Sequence, residues 1–185
     1  MRIVAGTHKG RALAAPEGRA VRPTSERARA ALFNILMHAR FAGREAIDGA
    51  RVLDAFAGTG ALGLEALSRG AAEAHFMERD RAARIQLQAN IKLLGEERRA
   101  IVHGADATHP PRAASPCGLV FLDPPYDEEL AAPALVALAA QGWIAPGALI
   151  SVELKATRDL APPPSFTLLD ERRYGKAKLI FLRRD

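Results

Sequence analysis

Between Arg51 and Glu153 short apolar runs alternate with helix-length stretches, and few folds survive that constraint. Arg51–Ala55 reads as a strand, Ala61–Arg69 as a helix and Glu73–Glu78 as a second strand, followed by a helix over Asp80–Leu94 with Gly95 as its C-cap. Ala100–His103, Leu119–Leu122 and Ala148–Glu153 continue the strands. A proline-interrupted loop covers Thr108–Pro116, and a helix covers Glu128–Gln141. Phe166–Glu171 and Lys178–Arg183 pair as a closing antiparallel hairpin. Parallel strands need long crossovers, and helices supply them, so this rhythm predicts an α/β, doubly wound sheet.

In such sheets ligands bind beyond the carboxyl ends of the strands. Two stretches fall there. The first is Val52–Gly63, a strand, a glycine turn and a helix start, in which Gly58, Gly60 and Gly63 match G-x-G-x-x-G with Glu78 twenty positions past Gly58. An NAD-dependent oxidoreductase is therefore one reading. Asp54 argues against it, because a carboxylate just before the loop would repel a pyrophosphate. The same carboxylate suits a ligand with an ammonium group, such as S-adenosylmethionine, whose own carboxylate can sit on the helix N-terminus. Glu78 then lies where both ribose hydroxyls can be bound, and Asp106 where the adenine amino group can be accepted. A dehydrogenase would use Glu78 and leave Asp54, Asp106 and Asp123 idle.

The second stretch is Leu122-Asp123-Pro124-Pro125-Tyr126, after the apolar strand that ends at Leu122. A planar amino group can stack on Tyr126 while its N–H groups donate to Asp123 and a backbone carbonyl. That suits chemistry on the exocyclic nitrogen of a base.

Charge is distributed unevenly. The net charge of +5 conceals nine Lys/Arg against Glu17 and Glu26 within residues 1–44, a surplus of seven, so the remainder sums to −2. A basic limb on a near-neutral body is the footprint of a polyanion partner. Within it, Arg2–Ala5 and Arg11–Ala14 read as short strands around a basic turn, Gly6–Gly10, and Pro16–Pro23 reads as loop. Thr24 or Ser25 caps a helix running to about His38, on which Leu32, Ile35 and Leu36 form the buried stripe while Arg27 and Arg29 point outward. Cys117 is the only cysteine and the five histidines lack ligand spacing, so no disulfide and no metal is expected. No apolar run is long enough to span a bilayer and no secretory signal is visible, so a cytoplasmic protein, a monomer with no membrane partner, is expected.

With these residues in hand, the chain resembles class I S-adenosylmethionine-dependent methyltransferases of the Asp-Pro-Pro-Tyr type. The flanks narrow the likeness to the RsmD family of ribosomal RNA methyltransferases: Arg2–Gly6 with Lys9-Gly10-Arg11, then Arg22–Arg29 followed by Leu32–Leu36, and the tail Tyr174–Leu179. Ala14-Ala15 and Ala20 stand where that family often has larger residues. The resemblance implies a Rossmann-like methyltransferase sheet of about seven strands, the last antiparallel, over residues 45–185, with a small basic extension over 1–44 for RNA contact. It implies transfer of a methyl group from S-adenosylmethionine to the N2 of guanine 966 in 16S rRNA, within an assembled or assembling small ribosomal subunit. A DNA adenine-N6 methyltransferase shares the tetrapeptide and is the nearest alternative, though this chain has little room for a target-recognition segment. Carried over by position, Asp54, Phe56, Gly58, Gly60, Glu78, Arg79, Asp106 and Ala107 would hold the cofactor. Asp123, Pro124, Pro125 and Tyr126 would hold the target base, and Arg2, Lys9, Arg11, Arg22, Thr24, Arg27 and Arg29 the RNA.

Overall fold

A seven-stranded sheet organises the chain. The structure, a computed structural model, describes residues 1–14, 23–125 and 129–185, and of residues 23–25 the backbone only. The strands are β1 (Arg51–Asp54), β2 (Glu73–Met77), β3 (Ala100–His103), β4 (Cys117–Leu122), β5 (Ile144–Lys155), β6 (Phe166–Tyr174) and β7 (Ala177–Arg184). The helices are α1 (Pro23–His38), α2 (Ala61–Ser68), α3 (Arg81–Leu94) and α4 (Ala131–Ala140). The strand order is β3-β2-β1-β4-β5-β7-β6, with β3 through β5 parallel and β7 antiparallel to both of its neighbours. The doubly wound fold and the reversed last strand are therefore as the sequence predicts. No helix among the described residues is long and apolar enough to cross a membrane.

Alternate residues along each strand feed two cores. One face, with Val52, Phe76, Phe121, Leu179 and Phe181, packs under α1, α2 and α3. The other, with Leu53, Met77, Val120, Ile150 and Ile180, packs under α4 and Trp143. Cys117 opens β4 and is buried, and burial pushes its thiol up to about 12, which leaves it an inert core residue. Helix ends follow local chemistry. Asp80 caps α3 by accepting from the Ala83 N–H, and Gly95 closes it in the left-handed region at φ 69°. α1 begins at Pro23, whose ring presets the helical φ, so Thr24 and Ser25 lie inside the first turn rather than ahead of it.

The N-terminal hairpin is shorter than expected. A single bridge, Arg2 to Ala12, replaces the two strands. The reason is competition for donors: the N–H groups of Val4 and Ala5 are taken by the Glu65 carboxylate at 2.8 and 3.0 Å, so the ladder cannot extend. Nor does residues 1–44 have a core of its own. Ile3, Leu13, Leu32, Phe33, Ile35 and Leu36 are buried in the same cluster as β1, β2 and β4. The turn docks on the C-terminal end of α2, where the Thr7 N–H donates to the Ser68 carbonyl at 2.8 Å and the His8 N–H to Ser68 Oγ at 3.0 Å. Because α2 runs back across the sheet, that places the turn at the amino edge.

Candidate active site and cofactor cradle

Four adjacent strands end in the four expected acids. Asp54 closes β1, in register with Phe76 of β2 and Phe121 of β4. Glu78 follows β2, its N–H donating to the His103 carbonyl at the end of β3. Asp106 follows β3 and Asp123 follows β4. Neighbouring strands lie about 4.8 Å apart, so the four positions span roughly 14 Å along one carboxyl edge.

The glycine loop is built for close approach. Gly58 sits at φ 53° and Gly60 at φ 85°, conformations that side chains rarely adopt. A Cβ on Gly60 would come within 2.3 Å of Leu87, and one on Gly63 within 2.3 Å of Phe76, so both are packing glycines. A Cβ on Gly58 would meet nothing within 4 Å, so there the loop faces open space. Phe56 is half-buried beside it.

Each acid on the β1–β3 side is held by backbone. Asp54 is 1% exposed, and its Oδ2 accepts from the Gly63 N–H at 2.9 Å. Burial first, and the Glu78 charge after it, push the Asp54 carboxyl from its ordinary 3.8 up to about 7, against the pull of the Gly63 hydrogen bond. Asp54 thus lies beneath the loop rather than open in the crevice. Glu78 accepts from the Gly58 N–H at 2.8 Å through Oε2 and from the Asp80 N–H at 2.7 Å through Oε1. Asp106 accepts from the N–H and hydroxyl of Thr108 at 2.8 and 2.7 Å and from Arg79 at 3.2 Å, and the Thr108 bonds hold its carboxyl below the usual carboxylate range. Of about four lone-pair sites, three are occupied, leaving one for a ligand. Ala107 is buried beneath it.

The β4 side differs. Asp123 and Pro125 are exposed and Pro124 is buried, so the chain turns outward from a fixed proline. Tyr126 lies outside the described residues. A shallow depression of about 370 Å³ lined by Arg40, Phe41, Gly147 and Arg183 lies at the amino edge, remote from these acids.

The residues expected to touch RNA do not form one group. Arg2, Lys9, Arg11 and Arg27 are exposed. Lys9 sits in the turn docked at the amino edge, away from the acids. Arg22 lies outside the described residues, as does the side chain of Thr24. Arg29 is a correction: it is 3% exposed, donates to the Arg2 carbonyl and faces Glu65 at 3.8 Å. Its guanidinium points inward because Glu65, fully buried in α2, supplies a countercharge there, with Glu26 the next nearest among the described residues. Glu65 also accepts from Arg69 at 2.8 Å. Sequence reasoning missed Glu65, although a single charged residue within the apolar helix Ala61–Ser68 is a visible signal.

The whole chain has counterparts among known proteins. Residues 1–183 match the family model described as conserved hypothetical protein 95. The Haemophilus influenzae protein named ribosomal RNA small subunit methyltransferase D is 36% identical over 95% of this chain and 89% of its own length. The Escherichia coli K12 protein of the same name is 38% identical over 89% of this chain and 80% of its own. The solved structure of the yhhF protein of Escherichia coli superposes with a TM-score of 0.84 at 37% identity, covering 100% of this chain and 98% of that one.

Proposed function

The chain belongs to the conserved hypothetical protein 95, or RsmD, family, and from that premise we propose that it methylates the exocyclic N2 of one guanine, position 966, in small-subunit ribosomal RNA. The observation that carries this reading is the single carboxyl edge on which Asp54, Glu78, Asp106 and Asp123 end four adjacent strands. It is an rRNA methyltransferase with S-adenosylmethionine as cofactor. The residues present fit that ligand: an open glycine turn at Gly58, a carboxylate under it, and acceptors on the next two strands.

The bound cofactor supplies the methyl group as a sulfonium. Everything else is done by the chain. Asp54, Gly58 and Gly60, with Phe56 alongside, take the methionine end, and Glu78 takes the ribose through lone pairs that Gly58 and Asp80 leave free. Asp106 takes the adenine amino group, with Arg79 and Ala107 framing it. The guanine N2 lone pair is delocalised into the ring, which makes the nitrogen a poor nucleophile. Hydrogen bonds from its two N–H groups to the Asp123 carboxylate and the Pro124 carbonyl favour a pyramidal nitrogen and aim its lone pair. Pro124 is suited to this because it is buried and its φ is fixed. Asp123 then stabilises the positive charge that builds on the nitrogen, a preorganised electrostatic contribution. Alignment of the two bound reactants is worth about 7–11 kcal/mol in favourable cases. Tyr126 stacks on the unstacked base, which returns about 1–3 kcal/mol.

The test is transfer of tritiated methyl from S-adenosylmethionine to small ribosomal subunits from cells lacking this protein, with the modified base located by mass spectrometry. N2-methylguanine at one position is expected. Label on adenine N6 of DNA would replace the substrate, and tight NAD binding with no methyl transfer would replace the reaction class.

A further inference from the structure

The sheet is not level at its carboxyl edge. β4 ends at Leu122, opposite Val152 of β5. β5 runs on to Lys155, which pairs with Ala177 of β7, and Ala177 pairs in turn with Tyr174 of β6. Three further residues of strand raise this corner about 10 Å above the level where the Asp123 loop leaves the sheet. It stands as a wall beside that loop. Arg158, just behind the wall, donates to Glu129 at 2.8 Å, three positions past Tyr126, and so ties the wall to the segment that follows the base-binding residues.

The top of the wall carries Lys155 on one face of the sheet, Arg173 on the other and Lys176 in the turn between β6 and β7, all exposed. The Ala156 N–H donates to the Lys176 carbonyl at 2.8 Å, which holds these segments side by side. Three acids of the same corner are paired within it. Asp159 and Glu171 both converge on Nζ of the covered Lys178, at 2.5 and 3.1 Å, and Asp170 pairs with Arg172 at 2.8 Å. Among the described residues Lys155, Arg173 and Lys176 form no ion pair. The internal pairing of the acids therefore leaves Lys155 and Lys176 without an ion pair near the reaction site, and Arg173 with only the field of Asp159, which is bonded to Lys178. The N-terminal turn contrasts with this: Lys9 is held at the other edge, roughly 12 Å of helix away.

From this juxtaposition we infer that Lys155, Arg173 and Lys176 form a ridge that binds the phosphate backbone of the RNA beside the target nucleotide. The inference rests on the RNA-methyltransferase reading above. Phosphate contacts fix register without reading sequence, and a ridge beside the Asp123 loop would set which nucleotide can reach it.

The test removes the ridge with Lys155→Ala, Arg173→Ala and Lys176→Ala together. A comparator, Arg44→Ala, Lys92→Ala and Arg98→Ala, removes the same formal charge from exposed positions at the amino edge. With small ribosomal subunits as substrate, the ridge variant should raise KM about tenfold or more and reduce the slope of log affinity against log salt by about 2 to 3. Its affinity for S-adenosylmethionine and its Tm should match the wild type, which separates RNA binding from misfolding. A ridge variant equal to the comparator in KM and salt slope, alongside an active wild type, overturns the ridge alone. A wild type that methylates no ribosomal RNA overturns the ridge together with the reading it rests on.

Discussion

The two halves of the carboxyl edge are built differently. On the β1–β3 half every acid is fixed by a neighbour in its own or the next loop: Asp54 by Gly63, Glu78 by Gly58 and Asp80, Asp106 by Thr108. On the β4–β7 half Asp123 stands exposed, and the contact seen near its loop crosses a long stretch of chain, Arg158 from beyond β5 donating to Glu129. A small, unvarying ligand rewards a rigid cradle, because ordering costs are met during folding. A base drawn out of a large RNA needs an open approach, and rigidity there has to come from the walls.

That contrast is broken most directly at Asp123. Asp123→Ala should lower kcat about 10²–10³-fold or more, as loss of a preorganised charge partner does, while calorimetry finds S-adenosylmethionine binding unchanged. If cofactor affinity fell as far as turnover, the two halves would not be separable.

Arg29 probes the part of the basic limb that turned out to be core. Removing Arg29 takes away one of the two guanidinium groups beside buried Glu65 and the donor to the Arg2 carbonyl, and charge-assisted contacts of this kind are worth about 1.5–3 kcal/mol. Arg29→Ala should therefore lower Tm by several degrees, roughly 2–4 °C per kcal/mol at this length, and leave the salt slope of RNA binding as it was. A changed slope with an unchanged Tm would return Arg29 to the RNA surface.

Glu78 sharpens the comparison on the cradle side. Glu78→Ala frees two backbone N–H groups and loosens the Gly58 turn. Charge-assisted hydrogen bonds of this kind are worth about 1.5–3 kcal/mol, so KM for S-adenosylmethionine should rise roughly 10- to 100-fold with a much smaller change in kcat. Unchanged cofactor affinity would remove Glu78 from the site.

What the sequence made legible follows the same division. The strand ends, the glycine turn and the Gly95 cap depend on residues within a few positions of one another, and local pattern carries them. The direction of Arg29 was not legible, because it depends on Glu65, thirty-six positions away and on another helix. The placement of the hairpin turn is hidden for a related reason: charge shows in the sequence, but the dock on Ser68 does not. β5 is longer than the expected Ala148–Glu153, since Pro146 and Gly147 disfavour a strand over Ile144–Gly147. Pairing of Ile144 with Cys117 nonetheless brings it into the strand. The extension to Lys155 at the other end created the wall.

The last expected effect concerns Asp54 and can be recognised by its sign. Its carboxyl is raised from 3.8 to about 7 in the folded chain, so between those values the folded state keeps a proton that the unfolded state has lost. Stability without ligand should then decline as pH rises from about 4 toward 7, by up to about 1.4 kcal/mol per unit. Cofactor binding should run the other way. An ammonium group brought near Asp54 favours the ionised form, so below pH 7 binding must first expel the proton, and affinity should fall by up to about tenfold on going from pH 7 to pH 6. In Asp54→Asn, whose side chain can still accept from the Gly63 N–H, both slopes should flatten and cofactor affinity at pH 8 should drop. Melting curves and calorimetry across pH 5–8 measure the two together. Two curves of the same sign would mean that Asp54 serves the helix start alone and the ammonium is held elsewhere.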